Sequence, residues 1–219
     1  MNSSAKWKKI TGVILLFFYC TNMLNIPALQ IFNIINILYV LVMNPDIARD
    51  AAKFGKSRKS LLLIPLGAIA IIGIQAILWD NIIMSQIKAG LGIVTDNANT
   101  ENVISMIREN PVMMGFMACF YGPILEELLY RYTAFGLIRD RDRALAYIVS
   151  ALLFGFQHIA VAAIYGGDLI QLINMPEYII AGLIFAFLYD KTGNICVPAG
   201  AHILANSFGL LSMVMNNVI

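Results

Sequence analysis

Charge is scarce in this sequence. Of 219 residues only 13% are Asp, Glu, Lys or Arg, whereas 59% are hydrophobic and the mean hydropathy is +0.76. Soluble domains carry about a quarter charged residues, so a soluble globular fold is excluded. Disorder is excluded too, because it needs few apolar residues and a high net charge. A net charge of only +2 leaves no broad basic field, and nucleic acid is ruled out as a partner. Cysteine is nearly missing: Cys20, Cys119 and Cys196 are odd in number and lie inside apolar stretches, which speaks for inert buried thiols rather than a disulfide framework. Two familiar catalytic signatures are also missing, the H-E-x-x-H of zinc proteases and the G-x-S-x-G of serine hydrolases.

What remains is long uncharged runs. No charged residue occurs between Lys9 and Asp46, between Lys59 and Asp80, or between Arg143 and Asp168, apart from His158. A spanning helix needs roughly 20 mostly apolar residues, and each gap holds one. The pattern predicts an all-α, polytopic transmembrane bundle of about seven helices, at 10–24, 27–43, 61–83, 112–137, 144–164, 169–189 and 195–217. Lys6, Lys8 and Lys9 before Ile10–Cys20 imitate a signal peptide, but no small-residue cleavage site follows, so this reads as an uncleaved first helix. Basic residues set the orientation. With a cytoplasmic N-terminus, the inside regions carry 12 of the 15 basic residues and the outside loops only Lys88 and Arg108. The expected product is a multi-pass integral membrane protein, of the bacterial plasma membrane, whose surroundings are the lipid bilayer. Two regions are expected: 1–110, with about three helices and an external loop at 84–111, and a core at 111–219. Within the loop, Ile104–Arg108 suits a short interfacial helix.

Five ionisable side chains lie at membrane depth: Glu126, Glu127 and Arg131 in the fourth segment, and the two histidines, His158 and His202, in the fifth and seventh. Such groups are costly in lipid and usually face a polar, functional interior. Glu127 and Arg131 are spaced i,i+4 with the acid first, the favoured orientation for an ion pair. Glu126 lies about 100° further round the helix, which leaves it as the carboxylate free for chemistry. Phe154 shares a face with His158, and Asn206 with His202, again at i,i+4. Counted from the expected cytoplasmic ends, Glu126 lies about 18 Å deep, His158 about 21 Å, and His202–Asn206 about 10–17 Å. A common site in the cytoplasmic half is therefore geometrically allowed.

A carboxylate and an imidazole can hold and deprotonate water, and an imidazole with an asparagine amide can stabilise an oxyanion. That is a peptide-hydrolysing set with no serine or cysteine nucleophile. The same Glu126, His158 and His202 also supply three N/O ligands, the number of an open catalytic zinc site. Tyr189-Asp190 and Gly167-Asp168 stand in the wrong order for an aspartyl intramembrane protease and read as interfacial loop residues. Glu177 follows Pro176 at the start of the sixth segment, where an acid is favourable for the helix dipole.

At these positions the sequence resembles the CPBP, or Abi-type, intramembrane proteases, which include CAAX prenyl endopeptidases and bacterial bacteriocin-processing and immunity proteins. The family pattern E-E-x-x-x-R, F-x-x-x-H and H-x-x-x-N/D reads here as Glu126-Glu127-Leu128-Leu129-Tyr130-Arg131, Phe154-Gly155-Phe156-Gln157-His158 and His202-Ile203-Leu204-Ala205-Asn206. The lead-in Gly122-Pro123-Ile124-Leu125 and the turn Lys191-Thr192-Gly193-Asn194 before Pro198 are in the same style, and the resemblance covers roughly 115–210. It implies that Glu126 activates water, that His158 helps hold it, and that His202 with Asn206 stabilises the oxyanion. Glu127 and Arg131 would support them. Tyr132 departs from the glycine many members place after the arginine, which bears on the approach to the site.

The expected activity is intramembrane endopeptidase, with a membrane-associated peptide or protein as substrate. Peptide or bacteriocin processing, self-immunity and cleavage of a prenylated CAAX protein are the settings the resemblance suggests. A glutamate mechanism with no required cofactor is favoured over zinc. The rival expectation is a non-catalytic immunity or scaffolding protein in which the polar cluster only locks helices together.

Overall fold

The computed structural model describes residues 44–54, 57–93 and 96–219, with isolated positions at 10, 12, 14, 41 and 42. The first two expected spans lie outside the described residues. Among the described residues the chain is helical and contains no strand. A short amphipathic helix, α1 (Pro45–Phe54), precedes α2 (Arg58–Ile72), which runs on through a π-wound stretch, Gly73–Met84, into Ser85–Leu91. After α3 (Ala98–Glu109) come four apolar helices: α4 (Pro111–Ile138), α5 (Arg143–Ile164), α6 (Leu169–Thr192) and α7 (Cys196–Met215). With Arg58–Gln75 in α2, five described helices are long and apolar enough to cross a membrane. The bounds of α2 and α4–α7 follow the segments read from hydropathy. This is a multi-pass integral membrane protein.

Local chemistry sets those bounds. Ser57, Asn97, Asn110 and Asp142 each accept a backbone N–H at a helix N-terminus, and Pro111 adds a preset φ at the first position of α4. Helix α6 ends at Gly193, whose φ of +61° only glycine adopts without strain. The described part of the connection at 84–111 is more helical than the sequence suggested. The short interfacial helix expected at Ile104–Arg108 is the three-turn α3, because Asn97 caps it seven residues earlier.

Each spanning helix divides into a lipid face and a packed face. On α5, Leu145, Ile148, Leu152 and Phe156 are exposed, while Ala146, Ser150, Ala151, Phe154 and Gly155 are buried. The packed face uses small residues, as membrane helices do when they must approach closely. A Cβ at Gly182 of α6 would stand 3.0 Å from the Ala151 backbone, and one at Gly155 would stand 2.7 Å from Ile179. Helices α5 and α6 therefore lie side by side, α7 packs on α2, and the second half of α4 packs on α5. Polar residues stitch the same seams: the Tyr130 hydroxyl donates to Gln157, and Ser150 donates to the Tyr130 carbonyl at 2.9 Å.

At the loop-proximal end of α5 and α6 the chain is punctuated once more. The α6 terminus carries Asp190, which accepts from Arg143 at 2.8 Å and from Tyr147 at 3.0 Å. Asp190 had been expected in an interfacial loop. It is instead in the last turn of a helix, tying α6 to the start of α5.

Candidate active site

The winding of α4 brings its polar residues inward. Glu126 and Glu127 end the α-helical turn Gly122–Glu127, and the next eight residues, Leu128–Phe135, are π-wound. Such stretches are rare and concentrate at functional sites. Glu127 and Arg131 are completely buried and face one another, with Arg131 Nη1 3.2 Å from Glu127 Oε1. The other arginine nitrogen, Nη2, donates to the Gly182 carbonyl of α6 at 3.2 Å. Its guanidinium carbon lies 4.4 Å from the ring centre of Phe154 and 5.0 Å from that of Phe185. A desolvated cation is stabilised by such π faces. This matters here because Arg131 Nε and Nη1 and Glu127 Oε2 make no hydrogen bond.

His202 of α7 closes this cluster. Its Nδ1 donates to Glu127 Oε1 at 3.1 Å, and its Nε2 stands 3.8 Å from Glu126 Oε2. The ring stacks on Phe185 at 4.4 Å. His158 of α5 is fixed differently: its Nδ1 meets the Phe154 carbonyl at 2.8 Å. A carbonyl only accepts, so Nδ1 carries the proton and the Nε2 of the neutral ring is an acceptor. Phe154 sits between the two imidazoles, 4.7 Å from His158 and 5.7 Å from His202.

The structure thus brings Glu126, Glu127, Arg131, Phe154 and His202 into one connected cluster, with His158 against the same phenylalanine. Asn206 lies one turn beyond His202, but its amide donates to the Ala118 carbonyl at 2.9 Å. One of its two N–H bonds is thereby committed to α4. Tyr132 does not narrow the approach through its hydroxyl, which is turned away to Asp46 at 2.6 Å and Asn44 at 3.1 Å in and before α1.

Two site neighbours escaped the sequence reading, Phe185 and Tyr178, both on α6. No ionisable residue marks that stretch. The available signal is periodic: Tyr178, Gly182, Phe185 and Tyr189 recur at i, i+4, i+7 and i+11, one face of a helix. His158 lies six residues from Ile164, roughly 9 Å from the far end of α5 at about 1.5 Å per residue. Among the described residues no three His, Cys, Asp or Glu side chains are gathered to hold a metal ion. Glu126, His158 and His202 in this arrangement do not fit one, and no step is routed through a metal.

Residues 108–208 match the family described as type II CAAX prenyl endopeptidase Rce1-like. This part of the chain is similar to the CAAX-protease (CPBP) family. Among curated relatives, YdiL of Bacillus subtilis (strain 168), by name a candidate membrane peptidase, is 31% identical over 118 residues, covering 53% of this chain and 43% of YdiL. The membrane-embedded CAAX protease MroQ of Staphylococcus aureus (strain USA300) is 29% identical over 143 residues, covering 62% of this chain and 52% of MroQ. The chain spans about half the length of the curated relatives it matches. No solved structure matches it.

Proposed function

We propose that the chain is an intramembrane endopeptidase that hydrolyses a peptide bond with a Glu126-activated water. The observation that carries this reading is the Arg131–Glu127–His202 chain, which ends with His202 Nε2 facing the Glu126 carboxylate at 3.8 Å. Glu127 is neutralised by Arg131 and occupied by His202, so Glu126 is the acid of the pair left for a substrate water. Glu126 takes the water proton as the oxygen attacks the scissile carbonyl, and the unprotonated Nε2 of His158 orients that water. The oxyanion is met by the second N–H of Asn206 and by His202. Because the Nδ1 proton of His202 is committed to Glu127, its Nε2 donates only when the ring is an imidazolium, held between two carboxylates. The proton taken by Glu126 then passes to the leaving amine. No metal is required in this scheme.

The substrate is a peptide or protein at the membrane. The name of MroQ brings a CAAX-type substrate to this chain as a proposal, beside processing of an unmodified peptide precursor or bacteriocin, or self-immunity. Host cells carrying the wild-type chain or Glu126→Gln are compared by mass spectrometry of membrane-associated peptides. A cleavage product present only with the wild type supports the proposal. Identical peptide populations, with the histidine variants altering stability alone, would favour a scaffolding role.

A further inference from the structure

His158 has a second neighbour that none of the motifs supplies. The Tyr178 ring lies flat against its imidazole, with centroids 4.3 Å apart and planes 14° from parallel. Tyr178 stands in the first turn of the α-helical part of α6, and its hydroxyl is held from outside the bundle. Asn97 Nδ2 donates to that hydroxyl at 2.9 Å and Asn99 Nδ2 at 3.2 Å. Asn97 is fully committed: the same Nδ2 also donates to Glu177 at 2.6 Å, while its carbonyl oxygen caps α3 by accepting from Asn99 N and Thr100 N. The backbone beside it is pinned as well. Gln171, buried at the start of α6, accepts from Ala98 N at 3.0 Å and donates to the Asp96 carbonyl at 3.1 Å.

We infer that Tyr178 is a positioning residue for His158, set in turn by the side-chain amides of Asn97 and Asn99, so that the capped start of α3 fixes one wall of the active site. The geometry explains why this is needed. The backbone bond from Nδ1 fixes the position of the imidazole edge but not the tilt of its plane about that bond. A ring stacked on one face fixes the plane, and with it the direction of the Nε2 lone pair. Tyr178 holds a plane only if its own far end is held, and the two amides, with the Thr100 side chain beside them, hold it.

The inference rests on the proposed role of His158, so its test reads the imidazole first and activity second. The chain has two histidines, and ¹³C-labelled histidine in detergent-solubilised protein gives two sets of ring signals, assigned with a His202→Gln variant. Tyr178→Leu removes the stacked ring: the His158 ring signals move downfield to unshielded positions while those of His202 stay. Tyr178→Phe keeps the ring and loses the tether, so His158 shifts less and its signals broaden. Asn97→Ala/Asn99→Ala reproduces the Tyr178→Phe spectrum, and combining the two adds nothing further. In cleavage assays, Tyr178→Leu lowers kcat by roughly tenfold to a hundredfold with KM unchanged, the signature of a misaligned group. Unmoved His158 signals in Tyr178→Leu overturn the inference, whatever activity does. Should that variant fail to fold, unmoved His158 signals in Asn97→Ala/Asn99→Ala overturn it instead. Moved signals in a protein that cleaves nothing would leave the positioning intact and refute the peptidase reading.

Discussion

The two imidazoles are held in opposite ways. His202 is locked by charge inside the bundle: Glu127 accepts a hydrogen bond from its Nδ1, Arg131 neutralises Glu127, and Phe185 covers the ring. Every member of that chain comes from a spanning helix. His158 is held by neutral contacts, a backbone carbonyl on one edge and the Tyr178 ring on one face, and that ring is tethered by residues just before and within α3. The difference teaches where the site is rigid and where it is adjustable. A buried ion pair resists displacement because either charge alone would be stranded in low dielectric. A stacked neutral ring costs much less to shift.

The comparison can be broken most violently at Arg131. Arg131→Met strands Glu127 and removes the cation between Phe154 and Phe185, and loss of one partner of a buried pair costs about 3–5 kcal/mol. Unfolding measured in detergent should show that loss on the His202 side, with cleavage lost as well. A variant as stable as the wild type would show that the charge chain does not hold α4 to α6 and α7. Next comes His202→Ala, expected to lower kcat by about 10²–10³-fold, the usual cost of an oxyanion donor. Retained cleavage would remove His202 from the reaction. Asp190→Asn should do far less. Its partner Arg143 is largely exposed although the Asp190 side chain itself is buried, so the pair is half screened, and a modest fall in melting temperature with unchanged kcat is expected. A large drop would mean that this corner orders α5 and with it His158. The smallest effect expected is that of a chelator: cleavage by the purified protein should not change. Loss of activity restored by zinc would replace the water-activation scheme with a metal one.

How much of this was legible in the sequence follows the same division. The five described spans were readable because uncharged runs of spanning length have one stable solution in lipid, a helix with all backbone groups paired. The Glu127–Arg131 pair was readable because i,i+4 spacing is local. The setting of His202 was half readable: its helix face pointed to Asn206, whereas its bond to Glu127 depends on how α7 meets α4. Asn206 shows the limit of spacing arguments, since a shared face with His202 did not reveal that its amide is bonded to the Ala118 backbone. Tyr178 and Phe185 were hidden because aromatic residues at helical spacing normally mean core packing. The tether from Asn97 joins positions 81 residues apart, and no local pattern carries such a contact.

The central claim is that Glu126 activates the water while its neighbours hold the frame. The direct measurement is the cleavage rate of purified, membrane-reconstituted Glu126→Gln beside the wild type, with the melting temperature of each recorded. The substitution keeps the size of the side chain and removes its basicity, so the account predicts an unchanged melting temperature and a rate lower by at least about 10²-fold. A Glu126→Gln protein that cuts at the wild-type rate would contradict it.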